Sequence, residues 1–115
     1  MIFFHHGAGY TAQTWIPLIR ALRSKLPQNV CYIAFDMRCH GKSTADPKYV
    51  DMGLRSLVED VDIVMASLFK NASNVVDVHL VGHSLGAAVL ASFSKHGKYS
   101  AQRNRVSHIC ECLVN

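Results

Sequence analysis

Three short, mostly apolar runs dominate this chain: MIFFHHG at residues 1–7, VCYIAFD at 30–36 and VVDVHLVG at 75–82. Runs of this length without strict polar alternation suit strands covered on both faces. The apolar residues between and after them recur at helical spacing. Trp15, Ile16, Ile19, Leu22 and Leu26 form one stripe, with Thr14 placed to cap it, Pro17 in its first turn and Pro27 to end it. Leu54, Leu57, Val58, Val61, Val64, Met65 and Leu68 form a second, where Ser56 and Glu59 have the spacing of a capping box. The small residues of LGAAVLASF, starting at Leu85, predict a third helix packed close against the sheet. The order is strand, helix, strand, helix, strand, helix. Helical crossovers between buried strands require a parallel sheet with right-handed connections. The expected fold is therefore a three-layer α/β arrangement with about three strands.

In such sheets chemistry sits at the carboxyl ends of the strands. The three loops there are HHGAG, DMRCHGKS and GHSLG. The last has the G-x-S-x-G pattern, with Ser84 between Gly82 and Gly86. A strand that turns into a helix through one residue strains that residue. Flanking glycines remove the side chains that would collide across the turn. The Ser84 hydroxyl would then stand at a helix N-terminus, with unpaired N–H groups and the positive end of the helix dipole beside it. This predicts Ser84 as a nucleophile and the Leu85 N–H as one oxyanion donor. HHGAG would supply the second donor from the Ala8 N–H, with Gly7 and Gly9 letting backbone approach a substrate. A serine between glycines can also be no more than a tight turn. Other loop residues are expected to hold structure: Arg38 and His40 within their loop, and Asp36 by satisfying loop N–H groups. His83 is expected to pack or hydrogen-bond beside the serine, with a lesser role toward substrate. His79 should be a satisfied core residue. His5 and His6 are adjacent, so on a strand they point apart, and no carboxylate pairs with them. No metal site and no cofactor are expected.

Composition narrows the partners. The chain has 115 residues, half of them apolar and 17% charged, as in a single globular domain. The net charge of +4 is modest. Lys95, Lys98, Arg103 and Arg105 concentrate near the C-terminus, where a solvated chain end is the plain reading, so nucleic-acid binding is not expected. Cys31 is expected to be buried in the second strand. Cys110 and Cys112 form C-x-C, too close for an easy mutual disulfide and lacking a second pair for zinc. No signal peptide or membrane-length apolar run is present, which points to a soluble, reducing cytoplasmic or nuclear setting.

FFHHGAG followed by a Trp-containing helix, IAFDMRCHGKS and LVGHSLGAAV together resemble the α/β-hydrolase superfamily. Within it the chain is most similar to the protein phosphatase methylesterases. These serine esterases remove the methyl ester from the C-terminal leucine of the protein phosphatase 2A catalytic subunit. The resemblance runs over residues 1–93 and leaves 94–115 as a divergent tail, as in a truncated or alternatively spliced product. It implies Ser84 as nucleophile, Ala8 and Leu85 as oxyanion donors, and the phosphatase catalytic subunit as partner. It also implies a triad acid at the end of the next strand, near Leu113, and a later histidine. After Ser84 the only carboxylate is Glu111, and His96 and His108 both precede it. The chain alone is thus expected to be inactive. Alternatives are another carboxylesterase or lipase, or a non-catalytic phosphatase-binding fragment.

Overall fold

The three apolar runs become the heart of a parallel sheet, and a fourth strand joins them. A computed structural model describes residues 1–46, 48, 50–70 and 77–98, together with the backbone of 106–112. The strands are β1 (Ile2–His5), β2 (Tyr32–Phe35), β3 (Val78–His83) and β4 (Val106–Cys112). Their order across the sheet is β2-β1-β3-β4, all parallel. β4 lies in the segment expected to be a divergent tail, and so corrects the count of three. It pairs Val78 with Val106 and Leu80 with Ile109, with an irregularity between them. Ladder bonds are made by backbone, so an open β3 edge can take up a segment whose side chains give little strand signal.

Three helices connect the strands. α1 (Ile16–Arg23) follows a 3₁₀ turn at Ala12–Trp15, α2 spans Leu54–Phe69 and α3 spans Leu85–His96. Handedness decides where they lie. The step from β1 to β2 runs one way along the sheet, whereas the steps from β2 to β3 and from β3 to β4 run the other way. Right-handed crossovers therefore put α1 on one face and α2 with α3 on the opposite face. The packing agrees. Ile2 and Phe4 meet Trp15, Ile19 and Leu22, while Phe3 and Leu80 meet Leu57, Val61, Met65, Leu90 and Phe93. The reversal falls between β1 and β3, so their carboxyl ends open into the crevice where such sheets place ligands. No helix among the described residues is long and apolar enough to cross a membrane.

Several local expectations are corrected. Thr14 does not cap α1, because it lies inside the 3₁₀ turn, and Trp15 takes the cap position. α1 ends before Pro27, where the Lys25 and Leu26 N–H groups both turn back to the Leu22 carbonyl. Ser56 and Glu59 form no capping box. α2 starts at Leu54 with Gly53 at its cap, so Ser56 is already inside, donating to the Asp51 carboxylate, and Glu59 pairs with Arg55. Cys31 precedes β2 and is exposed. His79 is exposed as well, since it lies beside Ile2 on the face that α1 only partly covers.

Candidate functional site

The site is assembled where β3 passes into α3 and the loop after β1 folds over that junction. A Cβ on Gly82 would stand 2.5 Å from the Ala87 Cα and 2.6 Å from its nitrogen. A Cβ on Gly86 would collide with the His5 carbonyl oxygen and stand 2.5 Å from that of His6. Gly82 thus lets the strand turn back against its own helix, and Gly86 seats the helix on the end of β1. Ser84 between them takes φ 51° and ψ −120°, a region that L-residues avoid. Such a conformation costs on the order of 1–3 kcal/mol and persists only where surrounding packing enforces it. Its side is exposed, and its carbonyl accepts from the Ala87 and Ala88 N–H groups at 3.0 and 3.3 Å. Leu85, as the first helical residue, has no intrahelical acceptor for its N–H.

The β1 loop comes directly against this turn. A Cβ on Gly7 would lie 2.7 Å from His83 Nδ1, 3.1 Å from its carbonyl oxygen and 3.2 Å from the Ser84 Cβ. Residues 7–10 close a turn through the Tyr10 N–H and the Gly7 carbonyl at 3.2 Å, with Gly9 at φ 77°. Ala8, Gly9 and Tyr10 are exposed. The Tyr10 ring stands edge-on to the His83 ring at 5.2 Å, and His83 Nδ1 is buried with no partner among the described residues. Ser84, Leu85, Gly7, Ala8, Gly9 and His83 are therefore brought together.

The β2 loop buttresses the crevice from the far side. The Asp36 carboxylate accepts from the Lys42 N–H at 2.9 Å and the Ala12 N–H at 2.7 Å, and these two bonds hold its pKa below the usual value. Arg38 makes a two-pronged pair with Asp60 at 2.6 and 2.7 Å, which raises the guanidinium pKa. It also donates to the Asp51 and Ser56 carbonyls, tying the loop to the start of α2. Asp36 and Arg38 are thus structural, as their sequence context implied.

His5 and His6 also serve the loops. In the sequence alone the pair is no ligand set, since adjacent residues on a strand point apart and no carboxylate accompanies them. His6 is fully buried and His5 is 1% exposed. His5 bonds the His6 carbonyl through Nδ1 at 2.9 Å, and its other nitrogen is unpartnered among the described residues. Burial drives the His5 pKa down to about 4, opposed by the His6 carbonyl bond and by Asp60, and reinforced by His6 and His40. The unfolded chain takes up a proton near 6.5 and the folded chain only near 4. Stability is then full above 6.5 and falls as pH drops through that window, by about 3 kcal/mol at 1.36 kcal/mol per unit. Urea unfolding across this range should show that loss in the wild type and a flatter profile in His5→Phe. Parallel profiles would remove His5 as the cause.

The groups expected to activate Ser84 are not assembled among the described residues. No described side chain hydrogen-bonds its hydroxyl. His96 is the last residue of α3 and exposed. His108 and Glu111 lie on β4, with Glu111 in register with Gly82. The acid position expected near Leu113 falls outside the described residues.

The chain matches the Alpha/beta hydrolase family over residues 2–114. It is similar to protein phosphatase methylesterase 1 of Candida albicans, 37% identical over 94 residues, covering 82% of this chain and 24% of that protein. The Kluyveromyces lactis protein of the same name is 35% identical over 98 residues, covering 80% and 25%. The Schizosaccharomyces pombe one is 33% identical over 91 residues, covering 79% and 26%. The chain thus spans about a quarter of the length of the curated relatives it matches.

Proposed function

We propose that this chain, which belongs to the α/β hydrolase family, is the nucleophile-bearing segment of a serine esterase that demethylates a protein phosphatase. The observation that carries this reading is the strained Ser84, at φ 51°, facing the glycine loop after β1. In the complete site a histidine base takes the Ser84 proton as Oγ attacks the methyl-ester carbonyl. The developing oxyanion is met by the Ala8 and Leu85 N–H groups. Collapse expels methanol, which takes up the base's proton, and water then frees the acyl-enzyme. Gly7 and Gly9 let loop backbone reach the substrate, and His83 with Tyr10 forms a wall beside it. The names of the relatives favour a protein phosphatase as substrate, and the C-terminal tail of the protein phosphatase 2A catalytic subunit, in cytoplasm or nucleus, is the specific target proposed.

By itself the chain is proposed to be a poor esterase, since no described residue supplies the base. Turnover of p-nitrophenyl acetate should barely exceed that of Ser84→Ala. The constructive test fuses residues 1–93 into a full-length methylesterase in place of the matching segment. That enzyme should hydrolyse a phosphatase-tail peptide bearing the C-terminal methyl ester. Hydrolysis of simple esters but not of the peptide would favour a general carboxylesterase. A folded chimera that cleaves neither would end the esterase assignment.

A further inference from the structure

We propose that His6 and His40 form a reciprocal clasp that positions the β1 loop and its Ala8 N–H for the oxyanion, making both histidines positioning residues. The inference rests on the reading of Ala8 as a donor. His6 belongs to the β1 loop and reaches across to the β2 loop, where its Nε2 accepts the Met37 N–H at 3.0 Å. His40 belongs to the β2 loop and reaches back, its Nε2 accepting the Gly9 N–H at 3.0 Å. Each ring is also anchored locally. His6 Nδ1 bonds the Gly7 carbonyl at 2.8 Å, and His40 Nδ1 bonds the Arg38 carbonyl at 2.9 Å. The two rings lie 5.4 Å apart, centroid to centroid.

These partners dictate the proton on each ring. A carbonyl can only accept, so each Nδ1 carries the hydrogen. A backbone N–H can only donate, so each Nε2 must be bare. Both imidazoles are therefore neutral Nδ1–H tautomers, the opposite of the form that free imidazole side chains favour in water. The loop needs such a brace. Residues 8–10 are exposed, two of the four residues 7–10 are glycine, and their turn has one internal bond. Glycine-rich backbone loses the most freedom when fixed. Oxyanion donors act through being fixed before the reaction. The His40 bond falls on Gly9, the residue after Ala8, and the His6 bond on Gly7 falls on the residue before it. The clasp thus holds both peptide neighbours of the donor, and Arg38, through Asp60, fixes the far loop that carries His40.

Nitrogen-15 spectra of the full chain at mildly alkaline pH test the clasp directly. Both rings should report the Nδ1–H tautomer, and an Nε2–H tautomer at either ring would overturn it. In His40→Leu, exchange of the Gly9 amide should rise about tenfold while the amides of β1 and β3 hold their rates. His40→Gln, whose side-chain carbonyl can accept the same N–H, should restore most of the protection. Unchanged Gly9 exchange in His40→Leu would overturn the clasp. Should His40→Leu not fold, the wild-type tautomers and the His40→Gln exchange decide the matter. In the chimeric enzyme described above, His40→Leu should lower kcat about tenfold with KM little changed, and His40→Gln should recover it. Lost Gly9 protection with kcat intact would overturn the positioning role. If the chimera is inactive even with His40 present, the esterase reading fails, and the clasp is still decided by the tautomers and exchange rates.

Discussion

Ser84→Ala in the completed enzyme is expected to lower kcat on the order of 10⁵-fold or more, the scale seen when a serine hydrolase loses its nucleophile. The loss should come with no loss of folding. Ser84 is exposed and its hydroxyl bonds no described side chain, so the methylene and oxygen contribute little to packing. Ser84→Gly sharpens the point. It should be equally inactive, yet it relieves a residue held at φ 51° and ψ −120°. The strain released is about 1–3 kcal/mol, part of which is offset by the greater freedom of glycine in the unfolded chain. A net gain of about 1 kcal/mol in urea unfolding, alongside abolished turnover, is the expected pair of results. Retained activity in either variant would show that another residue attacks the ester. A destabilised Ser84→Gly would show that the turn is held by the serine side chain itself.

Gly86→Ala is expected to cost on the order of 3–5 kcal/mol, enough to unfold a domain of ordinary stability. The added Cβ would meet the His5 carbonyl and stand 2.5 Å from the His6 carbonyl and 2.7 Å from the His5 carbonyl carbon. All of these are backbone atoms at the end of β1, the strand paired on both sides by β2 and β3. No side-chain rotamer can relieve such a clash. α3 would have to lift off the sheet, taking Val89, Leu90 and Phe93 with it. Gly9→Ala is the control. Nothing lies within 4 Å of where the added Cβ would stand, but φ is 77°, so the cost is conformational, about 1–2 kcal/mol. The two urea midpoints should differ widely. A Gly86→Ala variant as stable as Gly9→Ala would mean that α3 does not sit on β1 as closely as described.

The sequence alone determined the parts whose physics is local. The tight turn at Ser84 demands glycines at 82 and 86, so the pattern could be read in one dimension, and α2 ran over Leu54–Phe69 as its apolar period required. The parallel sense of the first three strands follows from the alternation of short apolar runs with helices, whereas their order across the sheet does not. Tertiary structure decided whatever depends on a partner far along the chain. The clasp joins Gly9 to His40 and His6 to Met37, each pair 31 residues apart, and histidine offers no spacing that announces such a bond. The exposure of Cys31 and His79 is not legible in the sequence, because an apolar run does not say which face a helix will cover. The fourth strand leaves little mark in the sequence because ladder pairing is made by backbone, whose hydrogen bonds are the same for every side chain but proline's. Burial, pairing and loop-to-loop bonding are properties of the assembled sheet, and only its topology brings the β1 loop, the β2 loop and Ser84 to one crevice.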